Sequence, residues 1–288
     1  EEEGKLIEAI ELRRSIVAQL PPGTEECELR FELSVQQLRI LEDHEGGLEE
    51  MWMLLRDYPE FNEVFYELQQ IYEENDGIIE FIERLEHTTS LAKQGSERAD
   101  LFLRTFELYR AFFDKSEDIL AFLERGSEYA KDDPYTLQFL ATGYEEAEAK
   151  EQAAQLYQQI GERDEPEQLV IQALEQAAQL YLELEQQDVT IDLYVKLLEK
   201  DPKHNRAFEE LSTLYESLWM WNELAGLLEG YIEYIDKPET AAERLIQLGD
   251  LYLGRLDDYE TSLMTYRRAL RKTPQNIKVL HALQALYE

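Results

Sequence analysis

Apolar and small residues recur at helical spacing along most of the chain. Leu245, Leu248, Gly249 and Tyr252 fall at offsets 0, 3, 4 and 7, which places them on one face of a helix. Tyr259, Ser262, Leu263, Tyr266, Ala269 and Leu270 follow at 0, 3, 4, 7, 10 and 11. A short polar turn separates the two stripes, and Pro274 ends the second. The pattern is that of an antiparallel helix pair. It recurs upstream in Ala177, Ala178, Tyr181, Thr190, Tyr194 and Leu197, and again in Leu140, Ala141, Tyr144, Ala153, Tyr157 and Ile160. Helices are predicted near 3–20, 25–43, 47–57, 60–74, 77–91, 97–113, 117–130, 134–148, 151–161, 166–184, 188–200, 203–217, 221–235, 239–254, 257–272 and 275–288.

Three prolines, Pro59, Pro202 and Pro274, each precede a tyrosine by thirteen residues, at Tyr72, Tyr215 and Tyr287. Leu68, Leu211 and Leu283 stand four residues before those tyrosines. On these residues the chain resembles the tetratricopeptide repeat family, whose unit of about 34 residues is a helix-turn-helix. Leu38, Tyr72, Tyr109, Tyr144, Tyr181, Tyr215, Tyr252 and Tyr287 then mark successive first helices, at steps of 34, 37, 35, 37, 34, 37 and 35. Neighbouring steps sum to 71 or 72, a double unit of two alternating helix pairs, one kind of which opens on an acidic lead such as Asp164-Glu165-Pro166-Glu167. The resemblance implies an all-α, right-handed superhelical α-solenoid of antiparallel helix pairs. It would run as one solenoid over 1–288, with about seven pairs and an unpaired helix at each end. Residues 1–130 are the divergent part: Leu38 replaces the aromatic, Phe106 stands where a small residue is usual, and Phe122 crowds a second helix. Residues 131–288 keep closer to the family pattern.

The terminal helices carry an expectation of their own. Ile277, Leu280, Ala282, Leu283, Leu286 and Tyr287 give the last helix a full apolar face, and 3–20 reads as a second helix without its first. Open ends of this kind are normally capped. The expectation is a piece cut from a longer array, with self-association through the uncapped C-terminal helix.

Charge narrows the partners. With 63 acidic and 28 basic residues the net charge is −35, which repels a polyanion and excludes a nucleic-acid partner. Apolar residues make up 44% of the chain, enough for a core, so the acidity does not imply disorder. A single cysteine, Cys27, allows no internal disulfide and fits a reducing compartment. No apolar run is long enough to span a membrane, and the Glu-Glu-Glu-Gly start is unlike a signal peptide. The expected location is cytoplasmic, with no membrane insertion.

Candidate chemistry is sparse. His44, His87, His204 and His281 show no metal-ligand spacing, and there is no phosphate loop, nucleophile elbow or calcium loop. Cys27 sits among Glu25, Glu26 and Glu28, which oppose a reactive thiolate. No catalytic residue, metal or cofactor is assigned, and the chain is not expected to be an enzyme. Asp132-Asp133, Asp257-Asp258 and Glu73-Glu74 are more simply helix caps and end charges than cation ligands. Arg267, Arg268, Arg271 and Lys272 lie in the last turns of a helix, where cations are favoured. Most tyrosines fall at packing positions, whereas Trp219 and Trp221 bracket a turn where one is expected to stay partly exposed.

In the family, partners lie in the concave groove lined by the first helices. Carried onto seven registers, the five groove positions are acidic in 14 of 35 cases, or 40%, against 63 of 288, or 22%, for the chain. The resemblance therefore implies a groove at Tyr66, Gln70, Glu107, Arg110, Gln138, Glu145, Glu175, Gln179, Arg206, Glu209 and Thr213 that binds protein or peptide partners rich in Lys and Arg. The family's Lys/Asn/Arg clamp for a terminal carboxylate is missing. Two other readings stand beside this scaffold: a structural stretch of a larger repeat array, and a regulatory module whose activity lies outside the chain.

Overall fold

The computed structural model describes residues 2–40, 43–93, 95–113, 116–130, 133–164 and 166–287. Asp132, Glu165, residues 41–42 of the predicted helix 25–43 and residue 288 of the predicted helix 275–288 lie outside them. The described residues form sixteen α-helices and no strand. In order these are α1 (Glu2–Val17), α2 (Thr24–Ile40), α3 (His44–Asp57), α4 (Asn62–Glu74), α5 (Ile78–Leu91), α6 (Ser96–Phe112), α7 (Ser116–Tyr129) and α8 (Pro134–Glu146). They continue as α9 (Lys150–Gly161), α10 (Glu167–Glu183), α11 (Gln187–Lys200), α12 (Asn205–Ser217), α13 (Trp221–Ile232), α14 (Pro238–Gly254), α15 (Tyr259–Lys272) and α16 (Ile277–Tyr287). Every predicted helix is present. The chain divides into two compact units, Glu1–Leu156 and Tyr157–Glu288, with the boundary inside α9.

One turn recurs inside the pairs. Asp76, Glu148, Glu185 and Trp219 each stand four residues after a first-helix tyrosine and take φ of 57°, 59°, 59° and 61°. The next residue's N–H (Gly77, Ala149, Gln186, Met220) donates back to the carbonyl of Tyr72, Tyr144, Tyr181 or Tyr215 at 2.8–2.9 Å. This closes the first helix with a left-handed residue and directs the chain into the second.

In the first unit, Met51, Trp52, Leu55, Phe65, Leu68, Phe81 and Leu85 form a buried cluster. The large residues that depart from the family pattern are accommodated by stacking. Phe122 is fully buried, with Tyr109, Phe102 and Phe106 at 4.4, 5.0 and 6.1 Å between ring centroids. Room comes from small neighbours: a Cβ on Gly126 would lie 2.9 Å from Phe102, and one on Gly143 would lie 2.8 Å from Leu123. Arg98 and Asp133 are buried together, with Arg98 donating from Nε at 3.2 Å and from a terminal nitrogen at 3.0 Å. Asp133 also caps α8 through the N–H of Tyr135.

In the second unit small residues also sit against large ones. A Cβ on Gly249 would come within 2.7 Å of Tyr266, and one on Gly161 within 2.5 Å of Leu174. Ser262 donates to the carbonyl of Gly249 at 2.8 Å, and the Tyr266 hydroxyl donates to Asp250. The apolar face of α16 is narrower than its sequence implies. Leu283 and Leu286 are buried as α16 packs on α15, while Ile277, Leu280 and Tyr287 stay exposed.

Candidate functional site

The eleven residues expected to line a groove all lie on the helices that the repeat register marks as first helices. Tyr66 and Gln70 are exposed on α4, Glu107 and Arg110 on α6, and Gln138 and Glu145 are half-buried on α8. In the second unit, Glu175 and Gln179 are half-buried on α10, and Arg206, Glu209 and Thr213 are exposed on α12. Position alone does not join them into one surface. Gln70 donates to Glu74 at 2.8 Å and lines a cleft with Arg39, Glu67 and Ile71. Glu175 meets Arg206 at 3.2 Å and His204 at 3.7 Å, and accepts from the Gln179 amide at 3.3 Å. Glu209 and Thr213 belong to a separate cleft of about 490 Å³ between α12 and α14, with Glu216, Arg244, Asp250 and Arg255.

The cations at these positions are engaged. Arg39 pairs with Glu67, Arg110 with Glu146, and Arg206 with Glu175. Arg244 pairs with Glu209 while lying over the Phe208 ring at 4.9 Å. The partners are 28 to 36 residues apart, so each pair ties one repeat to the next. Glu63, Glu107, Glu216 and Glu243 are exposed, with no ion-pair partner among the described residues. The sequence identifies the acids and the arginines but not this latching, which depends on neighbouring helices.

Other candidates resolve simply. Burial first, then the Glu26 carboxylate, pushes the Cys27 thiol up to about 12. Asp258 caps α15 by accepting from the N–H of Thr261 at 3.0 Å; the Thr261 side chain first, and then this N–H, hold its carboxyl below the usual value. Glu73 and Glu74 accept from Gln69 and Gln70. Trp219 is 73% exposed, whereas Trp221 is partly covered by Arg255 at 5.0 Å and lines the α12–α14 cleft. Among the described residues no group of three or more His, Cys, Asp or Glu side chains is arranged to hold a metal ion. No helix among them is long and apolar enough to cross a membrane.

No protein-family model matches the chain, and no curated protein matches it in sequence. Solved structures similar to it include YrrB, described as a TPR protein with an unusual peptide-binding site, at 16% identity and a TM-score of 0.36. That likeness covers 65% of this chain and 92% of YrrB. MamA is similar at 14% identity and a TM-score of 0.36, over 62% and 94% of the two chains. A thermophilic TPR protein in Thermus thermophilus is similar at 18% and 0.30, over 66% and 98%. Likenesses of this size carry no argument about function or partners. By the repeated turn, the packing of small residues against large ones and the ion pairs between successive repeats, the described residues fold as an all-α array of helix pairs, the architecture that the tetratricopeptide resemblance implies.

Proposed function

We propose that the protein is a non-catalytic scaffold that binds Lys/Arg-rich protein or peptide segments on the acidic faces of its first helices. The observation that carries this reading is the imbalance at those faces. Their arginines are latched to neighbouring repeats, and Glu63, Glu107, Glu216 and Glu243 remain exposed and unpaired among the described residues. A basic segment gains Coulomb attraction there without first displacing an internal partner. The proposed contacts are Tyr66, Gln70, Glu107, Arg110, Gln138 and Glu145 in the first unit and Glu175, Gln179, Arg206, Glu209 and Thr213 in the second, each set taken by itself. Fluorescence anisotropy with a labelled Lys/Arg-rich peptide tests the reading. Affinity is expected to fall by at least about tenfold between low and physiological salt, where the screening length shrinks to about 8 Å. Glu107→Gln/Glu216→Gln is expected to weaken binding further. Affinity indifferent to both changes would reject it.

A second reading follows from α16, where Ile277, Leu280 and Tyr287 are 69%, 45% and 61% exposed. In that reading this face meets another repeat, in a second copy or a longer array. Concentration-dependent sedimentation that persists in Leu280→Lys/Tyr287→Lys would exclude it.

A further inference from the structure

A second cleft, of about 420 Å³, lies between α11 and α13 over the floor of α12 and shares no lining residue with the acidic cleft. Its walls are largely apolar and include Val195, Leu198, Tyr215 and Tyr231. Gly226 and Gly230, one turn apart within α13, complete it. Glycine inside a helix is less favourable than alanine, so a reason for each is expected. At Gly126, Gly143, Gly161 and Gly249 the reason is internal, because an added Cβ would meet a neighbouring side chain at 2.5–2.9 Å. At Gly226 and Gly230 an added Cβ meets nothing within 4 Å, and neither has a left-handed backbone. Within this chain the two glycines leave a strip of α13 backbone bare toward an apolar cleft.

The rim carries one sign of charge. Glu199 and Glu223 line the cleft, are exposed, and have no ion-pair partner among the described residues. The neighbouring cations are held elsewhere, Lys200 by Asp164 at 3.2 Å and Lys203 by Asp236 at 2.9 Å, and Lys196 does not line the cleft. We infer that this cleft docks one amphipathic helix of a partner protein. Its apolar stripe fills the space between α11 and α13, its backbone closes on Gly226 and Gly230, and its basic residues face Glu199 and Glu223. The bare strip selects a helix, because small residues one turn apart let two helix backbones approach closely, and the acidic rim selects a basic one.

Two labelled, stapled helical peptides test this, with the same leucine stripe at i, i+3, i+4 and i+7 and flanked by lysines in one and glutamates in the other. The lysine peptide is expected to bind the wild-type chain. Gly226→Leu/Gly230→Leu, which fills the cleft without changing charge, is expected to weaken it by at least about tenfold. Glu199→Gln/Glu223→Gln is expected to weaken the lysine peptide alone. Gly226→Ala and Gly230→Ala should each raise Tm by about 2–4 °C, since nothing inside the chain needs the glycine. Equal binding to the wild-type and leucine-filled chains, no binding to the wild type, or a lowered Tm in the alanine variants would overturn the inference. So would a wild-type dimer that the leucine substitutions abolish, which would give the cleft to a second copy. Binding to the acidic first-helix faces is read separately, through Glu107→Gln/Glu216→Gln.

Discussion

Asp133 does three things at once: it neutralises the buried Arg98, caps α8, and accepts from the hydroxyl of Thr136 at 2.5 Å. Removing one partner of a buried pair leaves the other charge uncompensated. Asp133→Ala is therefore expected to destabilise the fold by about 3–5 kcal/mol in chemical denaturation. The glycines divide by what surrounds them. Gly249→Ala forces a Cβ to 2.7 Å from Tyr266 and is expected to cost about 1–3 kcal/mol, whereas Gly226→Ala meets open space and is expected to stabilise by about 1 kcal/mol. Cys27 supplies a pH dependence. Its folded pKa, about 12, lies above the ordinary 9.0, so burying the neutral thiol contributes stability in full below pH 9. That contribution is lost as pH rises from 9 toward 12, and Cys27→Ala should flatten this part of the alkaline unfolding profile. None of these pairings is visible in the sequence, where Arg98 and Asp133 are two charges 35 residues apart.

At the scale of the helix, the periodic spacing of apolar residues predicts all sixteen elements, because each helix buries one face and the burial writes a 3.6-residue pattern. The ends are less legible. The helix predicted at 221–235 stops at Ile232, and the one predicted at 3–20 stops at Val17, where turn geometry rather than apolar spacing decides. The turn within the pair is hidden for a related reason. Asp, Glu and Trp all occupy its left-handed position, so no residue type marks it. A non-glycine residue there is strained by about 1–2 kcal/mol. Glu185→Gly, at an exposed site with φ of 59°, is expected to stabilise the helix pair by about 0.5–1 kcal/mol after the entropy of glycine is counted, read as an increase in the denaturation midpoint.

Over the whole molecule the net charge of −35 sets a mutual repulsion that the exposed ion pairs offset only in part, since each such pair contributes about 0–1 kcal/mol. Added salt screens the repulsion between distant carboxylates more than it weakens close contacts. Tm is expected to rise between low and physiological ionic strength, and a fall would mean that the pairs between repeats dominate. The acidity is plain in the composition. Its division into latched and unlatched carboxylates is not, because arginines such as Arg206 and Arg244 find their partners on a preceding first helix. The turns that close the first helices also provide a ruler. Asp76, Glu148, Glu185 and Trp219 share one backbone geometry, recur at steps of 72, 37 and 34 residues, and carry both acidic and large aromatic side chains. Spin labels or fluorophores attached there in pairs would hold one orientation relative to the local helices, so a measured distance would report the spacing of repeats rather than the wandering of the probe.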